Sequence, residues 1–454
     1  MNPAADGATT GQRMPGLTDR LYSDLVGKDR LQSAGVYPFR RDGGALGDAF
    51  TASALLYSTG EERWLHLVEE HINRIEDAVF HQRADRVGLS NGLTGALLLL
   101  DTAGPTVEPR EEFTEVLERR VETLADMLIS RVRGHAGVDW RDYSYATGLA
   151  GVAHRCLVAG RCLRLAQRIA NLFADLATGP FPYGFWTPTR MLPGGLLEST
   201  PQLSFGGRPL GFGMGIAGVV SILREASVVF GGERYLDAAG VLVDAISADI
   251  GQHDGAAVSV YQAAPQAGEP SAATRAAEHS WATGLPGVES AVADSPWLMQ
   301  KLYPGVHYAR SYVDPDEGGF MRPGVCNGVA GRLYLADLAG LPDDTRWDSY
   351  LGGVLSDYVS ESGNEPDGGG SDPGFWEGVG GVAAVWFGRH GGRGYAPALE
   401  VLGARNTRRW SSAAVGGAPG GGVDGDACRP LLRRAYEPYR KLRSGGTGHQ
   451  GWGT

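Results

Sequence analysis

The sequence predicts an all-α fold built from repeated pairs of helices. The main sign is a four-residue unit (glycine, a small or apolar residue, any residue, glycine) that occurs seven times, with its first glycine at Gly44, Gly92, Gly148, Gly215, Gly284, Gly328 and Gly378. Successive units begin 44 to 69 residues apart, and a recurring spacing of this order is typical of repeat proteins. The units explain part of the high glycine content, 69 of 454 residues, which is roughly twice the average.

Two kinds of helix alternate along these repeats. Each unit opens a nearly all-apolar stretch, as in 96–100, 219–223 and 333–336. Between units lie amphipathic stretches in which apolar residues recur every three or four positions, as in 63–81, 111–133 and 233–250. A helix that is apolar all round must be buried, so we expect inner helices surrounded by outer ones.

The paired glycines predict how the inner helices begin. Glycine lets backbones approach closely, and the first N–H groups of a helix have no partner within it. We therefore expect the N–H groups at the start of each inner helix to point at a central cavity. Periodicity alone is compatible with a closed ring and with an open array of helices.

Composition excludes several classes of protein. The net charge of −11 and the pI near 5.4 argue against a sequence-independent nucleic-acid binder, which needs a basic face. No apolar run approaches the ~20 residues of a membrane-spanning helix, and residues 1–16 lack the apolar core of a signal peptide. Four cysteines in so long a chain do not form a disulfide framework. We expect a cytoplasmic protein.

One domain is expected over residues 17–443, with a disordered tail at 1–16 and a flexible tail at 444–454. Three stretches rich in glycine, proline, serine or acidic residues predict surface loops: 262–272, 361–373 and 411–426.

A pair of motifs within the repeats indicates a family. Ser280-Trp281-x-x-Gly284 is followed by Cys326-x-Gly328, and with the seven units between Gly44 and His390 this arrangement resembles the lanthipeptide cyclases (LanC-like proteins). The resemblance implies an α,α-toroid of about seven inner and seven outer helices. It also implies the addition of cysteine thiols to dehydroalanine or dehydrobutyrine in a ribosomally made precursor peptide, which forms the (methyl)lanthionine thioether rings of peptide antibiotics.

The residues that hold zinc in that family are mostly replaced in this chain. The three ligand positions carry Ala282, Cys326 and Asn327, and one thiol among alanine and asparagine does not make a zinc site. The family's histidine is replaced by Met214, and its aspartate position is occupied by Ser144. The chain is similar in this respect to the metal-free cyclase domains of kinase–cyclase lanthipeptide synthetases, so we expect neither a metal nor another cofactor.

Five residues near the repeat units are candidates for catalysis. His279 is the best single acid or base, with a surface position as the alternative. Tyr143 could protonate the enolate that follows thiol addition and Asp142 could orient it, with packing and helix capping as the alternatives. Arg322 could stabilise an enolate oxygen, and Cys326 could react with a dehydro residue or be a small buried remnant of the metal site.

A second group is expected to contact the substrate. It consists of Trp281, Met214, Asn327, Tyr145, Arg208 and Glu377. The alternatives are a position in the core for Tyr145, a solvated position for Arg208, and a position at a helix N-terminus for Glu377. His154 and His307 are expected to be structural, and Cys156 and Cys162 to lie in the core.

Three functions remain open. The first is a zinc-independent cyclase, and the second is an inactive scaffold that binds the precursor peptide and partner enzymes. The third, a glycosidase or lyase, would need two facing carboxylates, for which Asp142 and Glu377 are the only pair near the units. The chain carries no kinase signature and no phosphate-binding loop, so a cyclase would depend on separate kinase-type and lyase-type enzymes to dehydrate its peptide.

Overall fold

Helices dominate the computed structural model. It describes residues 14, 16–27, 38–39, 44–81, 85–103, 107–134, 137–179, 181, 184–192, 194–199, 201–252, 261–263, 280–293, 295–302, 323–338, 345–360, 373–390 and 396–402. The helices are, in chain order, α1 (Leu17–Leu25), α2 (Ala45–Thr59), α3 (Glu62–Phe80), α4 (Leu93–Ala103), α5 (Glu111–Gly134), α6 (Trp140–Tyr143), α7 (Leu149–Ala159), α8 (Leu163–Thr178), α9 (Gly194–Ser199), α10 (Ile216–Phe230), α11 (Glu233–Gln252), α12 (Leu285–Val292), α13 (Pro296–Leu302), α14 (Val329–Leu338), α15 (Thr345–Ser360) and α16 (Val379–His390).

The inner helices close into a ring. Helices α2, α4, α7, α10, α12, α14 and α16 each begin within a glycine unit, and each packs against the next. The ring closes because α16 also packs against α2, where Gly380 lies against Thr51. Long helices of the outer layer, α3, α5, α8, α11 and α15, carry buried residues on one face and exposed residues on the other. Of the two alternatives that periodicity leaves open, the closed ring is correct.

In six of the seven units, the second glycine is required by close packing. A methyl group on Gly287 would lie 2.0 Å from the carbonyl oxygen of Trp281, in the turn before its own helix, and 2.8 Å from Cβ of Phe212, in the preceding turn. The same two contacts occur at Gly218, with Phe212 O at 2.3 Å and Tyr145 Cβ at 2.9 Å. Neighbouring backbones therefore do approach as the sequence predicts, and any side chain at these positions would push them apart.

Gly287→Ala is expected to destabilise the protein by about 2 kcal/mol, because the added methyl overpacks a contact with rigid backbone. Gly353→Ala is the matched control: Gly353 lies within α15, and a Cβ there would meet nothing within 4 Å. That change should raise stability by up to about 1 kcal/mol through helix propensity alone. Urea denaturation measures both variants, and equal effects of the same sign would contradict the packing argument.

The predicted boundaries and loops need small corrections. The three amphipathic stretches are helices whose ends differ from the sequence prediction by no more than two residues. A loop is expected over 262–272, but its first two residues belong to a strand, β2 (Tyr261–Ala263), which pairs antiparallel with β1 (Gly207–Pro209) and brings Arg208 opposite Gln262. Residues 264–272 lie outside the described residues. Residues 361–372 and 411–426 lie outside the described residues. None of the described helices is both long and apolar enough to cross a bilayer.

A 3₁₀ segment, Pro397–Leu402, is packed against the inner helices. It contacts α2 and α4, and its Leu399 and Leu402 are fully buried. The indole N–H of Trp281 donates to the carbonyl of Leu402 at 3.0 Å. This segment therefore joins the last described residues of the chain to the turn that precedes α12.

Candidate active site

The turns that lead into the inner helices share one design. Counted back from the first glycine of each unit, the third residue is fully buried in all six described turns: Leu89, Tyr145, Phe212, Trp281, Val325 and Phe375. We call these the floor residues. Aromatic rings meet edge to face or tilted among them, with 4.8 Å between the ring centroids of Tyr145 and Phe212 and 5.5 Å between those of Phe212 and Trp281. The floor residues give this end of the toroid a packed apolar base.

The second residue before the glycine forms a chain of backbone hydrogen bonds. These residues, the backbone belt, are Ser90, Ala146, Gly213, Ala282, Cys326 and Trp376. Each N–H donates to the carbonyl of the next member, over distances of 2.8 to 3.0 Å. The belt runs through six consecutive turns; the seventh turn, 40–43, lies outside the described residues. Because the belt joins the starts of the inner helices, those starts all lie at one end of the toroid.

The residue just before the glycine completes the surface of this end. These rim residues are Asn91, Thr147, Met214, Thr283, Asn327 and Glu377. All but the buried Thr283 are half-buried, although Oδ1 of Asn91 and Oε2 of Glu377 are buried atoms. The rim is polar except at Met214.

Two turns are near copies of each other. Ser144-Tyr145-Ala146-Thr147-Gly148 and Ser280-Trp281-Ala282-Thr283-Gly284 have the same pattern. In both, the serine hydroxyl accepts from the threonine N–H at 3.1 Å and hydrogen-bonds the threonine hydroxyl, at 2.7 Å in the first turn and 2.8 Å in the second. Ser144, at the position of the family's aspartate, therefore uses its hydroxyl to stabilise its own turn.

A side-chain network connects three successive turns. The amide nitrogen of Asn327 donates to Oε1 of Glu377 at 2.6 Å. On the other side, the Ser280 hydroxyl donates to Oδ1 of Asn327 over a longer 3.5 Å. The two bonds fix which end of the Asn327 amide faces the carboxylate, since only the NH₂ group can donate to it. Glu377 is therefore held on the rim with a defined orientation.

The three positions that carry zinc ligands in the LanC-like family do come together. The Ala282 N–H donates to the Cys326 carbonyl at 3.0 Å, and Asn327 follows directly. The donors present do not fit zinc, because a methyl group cannot bind a metal and the Asn327 amide is engaged with Glu377. Among the described side chains no group of three or more His, Cys, Asp or Glu is arranged to hold an ion.

Asp142 and Tyr143 face the body of the protein. Asp142 is bound bidentately by Arg131, with 2.8 Å between Nε and Oδ2. Burial raises the pKa of Asp142, and the Arg131 guanidinium opposes that rise. The Tyr143 hydroxyl donates to the Phe185 carbonyl at 3.3 Å in a fully buried position. These contacts favour the structural alternative for both residues, and a catalytic role stays a prediction.

The remaining predicted residues divide by their exposure. Tyr145 and Trp281 are fully buried floor residues, so a contact of theirs with substrate stays a prediction that their burial does not favour. Arg208 is half-buried on β1 near Tyr143 and Asp249, and burial lowers its pKa. Cys326 is 5% exposed and forms no disulfide. Cys156 is buried as expected, whereas Cys162 is half-buried, which corrects its expected place in the core. His279 and Arg322 lie outside the described residues.

Two features of this site were not predicted. The rim members Asn91, Thr147 and Thr283 were not among the candidates, although aligning the turns on their glycines reveals them. The helix-start N–H groups were expected to face a cavity, and this is wrong at α4. There the N–H groups of Leu93 and Thr94 donate to the carbonyls of Arg86 and Val87, at 3.0 and 3.2 Å. These carbonyls belong to the segment just before the helix, which lies against the helix N-terminus.

Comparisons with known proteins identify the fold. No protein-family model matches the chain, and no curated protein matches it in sequence. A solved structure of nisin cyclase is similar to this chain with a TM-score of 0.68 and 17% sequence identity, over 87% of this chain and 99% of that one. At this level of identity the likeness shows the fold alone. The α,α-toroid that the family resemblance implies is confirmed.

Proposed function

We propose that this protein is a zinc-independent lanthipeptide cyclase, which adds cysteine thiols of a dehydrated precursor peptide to dehydroalanine or dehydrobutyrine. The observation that carries the proposal is the Asn327–Glu377 hydrogen bond beside Cys326. In the LanC-like family the turn of Cys326 and Asn327 supplies metal ligands, whereas here Asn327 holds a carboxylate, Glu377, of the neighbouring turn. The toroid shared with nisin cyclase supports the assignment of the substrate class.

A cyclase can operate without zinc because the metal contributes less than positioning does. A cysteine thiol with a pKa near ~8.5 is roughly one-tenth ionised at about pH 7.5. Complete ionisation by a metal therefore raises the fraction of reactive thiolate about tenfold, which is on the order of 1.4 kcal/mol of free energy. Holding thiol and alkene in reactive geometry contributes ~7 kcal/mol or more. A rim that binds the peptide and positions its thiol would thus supply the larger part of the rate enhancement.

The reaction still needs proton transfer, and we assign this role to Glu377, whose Oε1 accepts from Asn327. Its carboxylate accepts the proton of the peptide thiol while the sulfur forms a bond to the β-carbon of the dehydro residue. The resulting enolate then takes one proton at its α-carbon from the Glu377 carboxyl group, directly or through water, which restores the carboxylate, so no proton is consumed overall. Asn327 keeps the carboxylate oriented, and the half-buried Met214 and Thr147 offer apolar and polar contacts to the peptide.

Ring formation by the metal-free protein tests this function. A precursor peptide dehydrated by separate kinase-type and lyase-type enzymes is incubated with full-length protein that has been dialysed against a chelator. We expect the peptide to lose its reactivity towards a thiol-alkylating reagent faster than it does without protein, and added zinc not to raise that rate. Equal loss of reactivity with and without the protein would rule out catalysis. Recovery of activity only with stoichiometric zinc would rule out metal independence.

An inactive scaffold is the second candidate, favoured by the replacement of the family's ligand and acid/base residues with Ala282, Asn327, Met214 and Ser144. Such a protein would bind the precursor peptide and its modifying enzymes through the same rim. It would retain binding, measured by calorimetry with the dehydrated peptide, while ring formation stays at the uncatalysed rate.

A further inference from the structure

The 3₁₀ segment Pro397–Leu402 makes one contact that crosses the ring of inner helices. It packs against α2 and α4, while the carbonyl oxygen of Leu402 accepts the indole N–H of Trp281, which is 121 residues away in sequence. Trp281 lies in the turn before α12. In the ring order α12 is three helices from α2 in one direction and three from α4 in the other. The hydrogen bond therefore joins opposite sides of the toroid.

This hydrogen bond gives the Trp281 ring a defined rotation. The indole is fully buried and packs on Phe212 with 5.5 Å between the ring centroids. Apolar packing of this kind has no strong directional preference, whereas a hydrogen bond requires the N–H to point at its acceptor. Four of the six floor residues have purely apolar side chains, namely Leu89, Phe212, Val325 and Phe375. Trp281 thus ties the floor to the segment through a directional contact that those four side chains cannot make.

The backbone and hydroxyl group beside Trp281 lead from this contact to the candidate site. The next residue, Ala282, donates its N–H to the carbonyl of Cys326 at 3.0 Å. The preceding residue, Ser280, donates its hydroxyl to Oδ1 of Asn327 at 3.5 Å. Asn327 in turn donates to the carboxylate of Glu377. One turn, 280–283, therefore lies between the segment and the side-chain network that ends at the proposed base.

We propose that Trp281 is a positioning residue for Glu377. Its hydrogen bond to Leu402 holds the turn 280–283, that turn holds Asn327, and Asn327 orients the carboxylate. This inference rests on the proposed function, since it concerns the same site. It gives Trp281 a role beneath the peptide in place of the contact with substrate that the sequence predicts, and it makes residues 397–402 a support of the site.

The network is sensitive to small movements of the turn. A hydrogen bond between two side-chain oxygens weakens rapidly beyond about 3 Å, and the one from Ser280 to Asn327 is already 3.5 Å long. A shift of a few tenths of an ångström at Ser280 therefore breaks it. Misplacement of a reacting group by about 1 Å can lower a rate about 100-fold.

Trp281→Phe tests the inference in the full-length protein, because it removes the N–H group and keeps an aromatic ring. We expect kcat for ring formation to fall about tenfold and KM to change by less than about twofold, since the peptide still meets the same rim. Trp64→Phe is the matched control. Trp64 is also fully buried, and its indole N–H has no hydrogen-bond partner among the described residues. The control should keep both constants.

A double variant separates positioning from a general loss of stability. If Trp281 acts through Glu377, then Trp281→Phe should lower the rate of the Glu377→Gln protein by no more than about twofold, because residues that act as a unit are not additive. A full tenfold loss in that background would overturn the inference. If Trp281→Phe does not fold, Leu399→Ala replaces it in these assays, since it loosens the buried segment without changing the turn.

Hydrogen exchange tests the support of the turn without any cyclase assay. The amide hydrogens of Ala282 and Thr283 are bonded within the network, and they should exchange at least about tenfold faster in Trp281→Phe than in the wild type or in Trp64→Phe. Equal exchange would overturn the inference whatever the activity. Faster exchange with an unchanged kcat would overturn it too. A wild-type protein that forms no rings would instead remove the proposed function, and exchange would still decide whether Leu402 holds the turn.

Discussion

Glu377→Gln is expected to lower the rate of ring formation at least about 100-fold, the lower end of what a general acid–base group contributes. Glutamine keeps the size of the side chain and an oxygen that can accept from Asn327, so the rim turn should keep its shape. The loss removes the one carboxylate that the described rim residues provide. The measurement is the single-turnover rate of thiol loss in a dehydrated precursor peptide at saturating enzyme.

Controls for this prediction distinguish chemistry from folding. Glu112→Gln replaces an exposed glutamate in the first turn of α5 and should leave the rate unchanged. Asn327→Ala removes the group that orients the carboxylate but keeps the carboxylate itself, so we expect a smaller loss of about tenfold. A Glu377→Gln protein that unfolds at the wild-type temperature and still cyclises at the wild-type rate would exclude Glu377 as the base.

Arg155→Leu is expected to destabilise the protein by about 3 kcal/mol, because it removes the ion-pair partner of the largely buried Asp101 carboxylate, while Glu118 keeps its ion pair with Arg161. Arg155 is 1% exposed. Its Nε lies 2.7 Å from Asp101, and its Nη1 lies 2.9 Å from Glu118. Burial by itself would lower the pKa of Arg155, but the nearby acidic groups, Asp101 above all, together raise it. Thermal and urea unfolding measure the loss.

The matched control is a surface ion pair between two outer helices, α5, which also carries Glu118, and α8. Arg168 contacts Asp126 at 2.6 Å with both side chains almost half exposed, so Arg168→Leu should change the stability by no more than about 1 kcal/mol. Adding Asp101→Leu to Arg155→Leu should restore part of the stability, since the unpaired charge is then gone. A cost at Arg155 no larger than at Arg168 would show that burial does not strengthen this network.

Local residue patterns were sufficient to predict the helices. The three- and four-residue spacing of apolar side chains predicted α3, α5 and α11 to within two residues, because burial on one helical face is a property of the segment itself. The glycine units also marked the starts of the inner helices, since in six of the seven units a side chain on the second glycine would collide with the turn that precedes its own helix. Closure of the ring was implied by the family resemblance and not by the spacing.

The candidate site was predicted in part. Sequence motifs identified Cys326, Asn327, Met214 and Glu377 at the ends of the turns, where the structure places them on the belt or the rim. The hydrogen bond between Asn327 and Glu377 was not predicted, because its partners are 50 residues apart and come from different repeats. Asp142 and Tyr143 show the opposite case. They lie near a glycine unit, but they are buried and their side chains contact Arg131 and the Phe185 carbonyl.

The sequence by itself determined the helix pairs, their order and the residue type at each turn position. These depend on side-chain volume, periodicity and glycine, all of which act over one or two helical turns. Only the tertiary structure decided which rim residues meet, and it also joined the helix starts into a belt. These features depend on the distances between turns of different repeats. Those distances are set by the packing of all the inner helices around a common axis.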